Sequence, residues 1–169
     1  MIDEVIPSLP IKEESIKSSY ENCFSKRCFI EVDNREFSAH LEKAKSDLAR
    51  VKNDYQQESW DWVIVKSYYS IMHAFNALLV KEKGFFSKDH FCTILSLKHF
   101  ELVPQEMYLK LRNIHAKFSD FTGFDVTYSL RKISQYDVYR WKEIAPRDAE
   151  AVYQLAKEVV SFVEKRCYR

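Results

Sequence analysis

The stretch from Ser59 to Gly84, SWDWVIVKSYYSIMHAFNALLVKEKG, constrains the fold more than any other part of the chain. It contains no Pro and no internal Gly, and it is far longer than a typical strand. Val63, Ile64, Tyr68, Ile71, Met72, Phe75, Leu78 and Leu79 recur three and four apart. Trp60, Trp62, Val65, Tyr69, Ala74 and Ala77 add apolar side chains on the other faces. A helix apolar nearly all round is a central one, covered by other helices. Ser59 is placed to cap its first turn, Asp61 sits at the positive end of its dipole, and Gly84 suits a left-handed close.

The segment before it carries a narrower seam. Phe37, Leu41, Ala44, Leu48, Val51 and Tyr55 alternate spacings of four and three, which predicts a long helix from Arg35 to about Gln57. Glu42, Lys43, Lys45, Asp47, Arg50 and Lys52 then form its solvated face. The connection Gln57-Glu58 is so short that this helix must pack antiparallel to the central one. Upstream, residues 1–11 hold two prolines and predict an extended or poorly ordered lead, followed by a short helix over 12–26. Cys28 to Val32 is a brief apolar piece that can be extended.

Downstream, Ser87 predicts the cap of a helix from Lys88 to Phe100, and Pro104 suits the first turn of the next. That next helix carries Met107, Leu111, Ile114, His115 and Phe118, and Thr122-Gly123 interrupts or ends it. A further helix is predicted over about Tyr128 to Trp141. Pro146 then opens the last, whose stripe is Ala149, Val152, Tyr153, Ala156, Val159, Val160 and Val163. Two glycines and four prolines in 169 residues leave few tight turns, so the expected class is all-α.

The net charge of +1 neither favours nor excludes a nucleic-acid partner, since a basic patch can hide in a neutral total. No apolar run looks free enough of charge to span a bilayer, and MIDEVIPSLPIKEE has no signal-peptide core. The expectation is a cytoplasmic protein with no membrane role. Cys23, Cys28, Cys92 and Cys167 form no CxxC pair, and Cys23/Cys28 lack a second pair for zinc. They are expected to be reduced thiols. His40, His73, His90, His99 and His115 include no i, i+4 pair with a carboxylate partner, so no metal is expected. The chain has no Gly-rich phosphate loop, and no cofactor is expected. His73 reads as a hydrogen-bonded core residue, and Tyr68 and Tyr69 as packing residues with hydroxyls at a polar edge. Arg112 and His115 lie one helical turn apart, so a shared face could bind a phosphate; the other reading is a surface cation beside a half-buried imidazole.

Trp62, Ser67-Tyr68-Tyr69-Ser70-Ile71-Met72-His73-Ala74, Leu78-Leu79 and Gly84 resemble the second helix of HEPN domains, with Ile71-Met72 where Met-Phe is usual. Lys88-Asp89-His90, Arg131…Tyr136-Asp137 and the alanine-spaced last helix agree with that resemblance, which covers roughly residues 12–166. It implies an up-down bundle of about five main helices plus an additional N-terminal helix, divided as an extension over 1–34 and the bundle over 35–169. Nuclease members carry Arg, four to six residues, then His, often with Tyr two further on. The resemblance implies that they cleave RNA without a metal, the Arg holding phosphate and the His moving a proton. Here Arg131 fits the first position, but Tyr136 stands at the shortest His spacing and Val138 at the Tyr position. The same window after Arg112 holds Lys117, Phe118 and Ser119. Tyrosine, with a pKa near ~10, is a poor proton shuttle, so no nuclease activity is expected.

The Arg-x4-Tyr form resembles a small prokaryotic branch of toxin–antitoxin type, paired with a small nucleotidyltransferase. It implies a homodimer bringing two Arg131 regions to one cleft, where RNA or a nucleotide phosphate binds. Arg131 is the expected main contact, Tyr136 and Asp137 lie beside it, and Arg112, His115 and Arg140 complete the cleft. Arg131 pairing with Asp137 or Glu143 to close the bundle is the competing reading. A non-catalytic helical dimerisation or protein-interaction module is the alternative function.

Overall fold

A computed structural model describes residues 8–122 and 144–169. The elements run α1 (Glu13–Ser25), β1 (Phe29–Glu31), a 3-10 turn (Asn34–Glu36), α2 (Phe37–Gln56), α3 (Trp60–Lys83), β2 (Phe85–Ser87), α4 (His90–His99), α5 (Gln105–Thr122) and α6 (Pro146–Cys167). The class is all-α, as the periodicities predict, with a two-stranded sheet as its only strand pairing among the described residues.

Helix α3 is the axis. Every position of its predicted seam from Val63 to Leu79 is buried, along with Ala74 and Ala77. Trp62 differs: it is 55 % exposed, although Trp60 in the same turn packs on Tyr55 and Val63 is buried. This helix is long and apolar enough to cross a membrane by length and composition, which corrects the sequence expectation. Its most apolar window is 83 % buried against protein, as in a core helix. Gly84 closes it with φ +74°, where a side chain would be strained. Ser59 stands at the cap position, but its hydroxyl makes no capping bond.

Side-chain pairs fix the direction of packing. Asp54 meets Lys66, Asp47 faces His73, and the Ser70 hydroxyl donates to the Ala44 carbonyl at 2.7 Å. From the Asp54–Lys66 pair to the Asp47–His73 and Ala44–Ser70 pairs, numbers fall along α2 and rise along α3, so the two helices are antiparallel, as the short connection requires. Helix α6 runs antiparallel to α2, since Tyr153 lies by Tyr55, Glu164 by Lys45 and Tyr168 by Phe37. Val51, Val63, Ile64, Ala149 and Val152 close one end of this three-helix layer. Asp47 is not on a solvated face. It is buried, because Lys43 one turn earlier supplies its counter-charge.

Two short strands attach the N-terminal segment. Phe29 pairs with Ser87, Ile30 with Phe86 and Glu31 with Phe85, antiparallel. Asn76, on α3, holds β2 like another strand: its amide nitrogen donates to the Ser87 carbonyl at 2.8 Å, and its oxygen accepts the Ser87 N–H at 3.2 Å. Ser87 therefore belongs to the sheet. Asp89 caps α4 instead, accepting the Cys92 N–H at 2.8 Å. A carboxylate two residues closer to the helix out-competes the hydroxyl, which accepts the Asp89 N–H.

Two further expectations change. The described part of the lead is held in place: Leu9 is 1 % exposed, and the Tyr108 hydroxyl donates to the Pro10 carbonyl at 2.6 Å. Cys23 and Cys92 are not free thiols. They form a disulfide across 69 residues, joining α1 to α4, with Cys28 and Cys167 left free. Spacing rules see only neighbouring cysteines, whereas the fold sets these two Cα atoms 5.9 Å apart.

Candidate functional site

Two tyrosines and two histidines meet at the contact of α3, α4 and α5: Tyr68 and His115 are buried, Tyr69 and His90 partly so. The α3 turn Ser67–Ser70 points Tyr68 inward. Its hydroxyl shares a 3.0 Å hydrogen bond with Nδ1 of His115, and the His115 side chain sits on α5 with 5 % exposure. His90, the first residue of α4, lays its ring 5.2 Å from that of Tyr68 and 5.8 Å from that of Tyr69. Phe91 covers His115 from the same turn. His115 Nε2 and His90 Nδ1 are buried without a hydrogen-bond partner among the described residues. Such atoms cost about 1–3 kcal/mol each.

Its electrostatics keep the imidazoles neutral. Burial pushes the His90 pKa down to about 4, with Asp89 opposing and His115 and His73 adding to the fall. Burial lowers His115 too, again against Asp89. His73, one turn along α3, is half-buried rather than a core residue. Its Nε2 lies 3.8 Å from the Asp47 carboxylate, yet burial outweighs that carboxylate and lowers its pKa.

Arg112 and His115 do not share a site. The Arg112 Nε donates to the Leu9 carbonyl at 2.6 Å and a terminal nitrogen to the Ser8 hydroxyl at 3.3 Å, so its guanidinium holds the lead. His115 points the other way, into the bundle. Arg131, Tyr136, Asp137 and Arg140 lie outside the described residues, as do Glu143 and the helix predicted over 128–141. The residue sequence reasoning missed is His90. Its place in Lys88-Asp89-His90 was visible, but its approach to Tyr68 depends on the angle between α3 and α4.

One donor group was also missed. Cys28 Sγ, an Asp89 oxygen and Cys92 Sγ lie within 4.8 Å of one another. Asp89-x2-Cys92 is the second pair that Cys23/Cys28 lack in sequence, but the Cys92 sulfur is committed to Cys23.

The HEPN domain family model matches residues 37–166. The chain belongs to the HEPN family. The match begins at the first residue of α2 and takes in α3 to α6, so the Tyr68–His90–His115 cluster lies within the HEPN domain and α1 outside the matched residues. Searches of curated proteins and of solved structures each returned no match.

Proposed function

We propose that this HEPN protein binds RNA or a nucleotide phosphate without cleaving it, as the helical component of a toxin–antitoxin-type pair with a small nucleotidyltransferase. One observation carries the reading. The Arg and His of α5 face apart, with Arg112 held by Leu9 and Ser8 and His115 buried and neutral against Tyr68. Neither is placed to hold a phosphate while the other moves a proton. The sequence element Arg131-x4-Tyr136 keeps the phosphate-binding cation of the nuclease motif and lacks its histidine. In this reading the working form is a cytoplasmic homodimer. Arg131, Tyr136, Asp137 and Arg140 line its cleft, the extension over 1–34 packs on the bundle over 35–169, and no cofactor takes part.

The test is binding of single-stranded RNA and of a nucleotide by fluorescence anisotropy over a salt series, without added metal, for wild type and Arg131→Ala. Binding that weakens with salt and is lost in Arg131→Ala at an unchanged melting temperature supports the reading. Robust metal-independent cleavage, lost in Arg131→Ala, overturns it. A lowered melting temperature with unchanged binding assigns Arg131 to the bundle. A second reading, a non-catalytic protein-interaction module, is favoured by Trp62, whose exposed indole carries Lys66 5.8 Å from its ring. Light scattering that finds a monomer counts against both.

A further inference from the structure

We propose that Cys28, Cys92 and Cys23 form a thiol–disulfide exchange site that fastens and releases helix α1. The covalent tie between α1 and α4 is the Cys23–Cys92 bond, whose two residues are only 3 % and 4 % exposed. A small thiol in solution has little access to either sulfur. Cys28 is half-buried, free, and has its Sγ within 4.8 Å of Cys92 Sγ. It is the one thiol placed both to meet solvent and to reach the buried bond. Its position is fixed from both sides: the Cys28 N–H donates to the Cys23 carbonyl at 3.1 Å, and the Ser87 hydroxyl donates to the Cys28 carbonyl at 2.8 Å. Cys92 is fixed too, in the first turn of α4, by the Asp89 cap.

In the first step Cys28 gives up its proton and attacks Cys92 Sγ. The Cys28–Cys92 bond forms, the Cys23–Cys92 bond breaks, and Cys23 leaves as a thiolate that takes up a proton. No oxidant or reductant is consumed. In the second step a small dithiol attacks the accessible Cys28 sulfur, displacing Cys92 as a thiol. The dithiol then closes on itself to a disulfide, releasing Cys28 as a thiol and leaving three reduced cysteines. The resting form is Cys23–Cys92; burial first, and then Asp89, hold the free Cys28 thiol above its ordinary pKa, against Lys26. Exchange removes the covalent hold on α1, which otherwise buries Ile16 and stacks Tyr20 on His99, while β1 keeps its pairing with β2.

The full-length oxidised protein decides this. Limiting dithiothreitol is added, thiols are blocked at intervals, and tryptic peptides are mapped without reduction; cleavage at Lys26 and Arg27 separates Cys23 from Cys28. A transient Cys28–Cys92 peptide is expected in wild type, and reduction of Cys23–Cys92 about tenfold slower in Cys28→Ser. In Cys23→Ser, which removes the resting bond, mild oxidation should produce Cys28–Cys92 while Cys167 stays free. Equal reduction rates in wild type and Cys28→Ser overturn the proposal, as does failure of Cys23→Ser to form the new bond. Stoichiometric zinc uptake by the reduced protein without any Cys28–Cys92 species also overturns it, making the trio a metal site.

Discussion

Acid should loosen this fold through His90. In the unfolded chain a histidine titrates near about 6.5, and in the folded protein burial holds His90 at about 4. Between those values the unfolded chain binds a proton that the folded chain refuses. Stability is therefore full above about pH 6.5, falls as pH drops through the window, and levels off below about 4. At about 1.4 kcal/mol per pH unit, the full window is worth about 3 kcal/mol, and the interval from pH 7 to pH 5 about 2 kcal/mol. His40, His73, His99 and His115 are lowered by burial as well and add in the same direction. The perturbation that isolates His90 is His90→Phe, which keeps a ring against Tyr68 and Tyr69 and removes the unpartnered Nδ1. Urea unfolding at pH 7 and pH 5 should show a loss about 2 kcal/mol smaller in His90→Phe than in wild type. Equal losses in the two proteins would refute the buried, neutral assignment.

Three other perturbations test the scaffold. Asn76→Ala leaves the Ser87 N–H without its side-chain partner and the Ser87 carbonyl with only the Thr93 hydroxyl, and should cost about 1–3 kcal/mol by urea unfolding. Arg112→Ala releases the Leu9 carbonyl and should speed proteolytic nicking around residues 8–12, with a loss of about 1 kcal/mol in stability. Gly84→Ala has room for the added carbon, 3.7 Å from the Val32 oxygen. Its cost should therefore be the left-handed backbone alone, about 1–2 kcal/mol by the same assay.

The helices were legible because burial on a helix repeats every three to four residues, and α2, α3 and α6 keep that period along their whole length. The exceptions are all polar or short. Asp47 is charged and buried, a combination periodicity cannot signal, since it depends on Lys43 and on the approach of His73 from α3. The strand Phe85–Ser87 is too short for a pattern, and its partners are Asn76 and a segment more than fifty residues upstream. Ser87 was the expected cap, and the course of β2 takes it into the sheet and leaves the cap to Asp89. In the candidate site, the one-turn spacing of Arg112 and His115 suggested a shared face, which the two side chains do not form. What each faces, the lead or the bundle, follows from tertiary packing.

The first turn of α4 holds both His90 and Cys92, so the acid response and the thiol exchange share a backbone, and one variant can show which bonds position it. Asp89 accepts the Cys92 N–H, the Thr93 hydroxyl donates to the Asp89 carbonyl at 2.9 Å, and Asn76 fixes Ser87 just upstream. None of these bonds involves Cys23. The turn should therefore keep its place when the disulfide is absent, and His90 should stay buried. Cys23→Ser is expected to lose overall stability, since removing a cross-link across a long loop typically costs about 2–5 kcal/mol. Its further loss between pH 7 and pH 5 should match that of the wild type. If Cys23→Ser instead shows the flattened response of His90→Phe, the disulfide rather than the Asp89 cap holds α4 against Tyr68. Release of α1 would then also open the Tyr68–His90–His115 cluster.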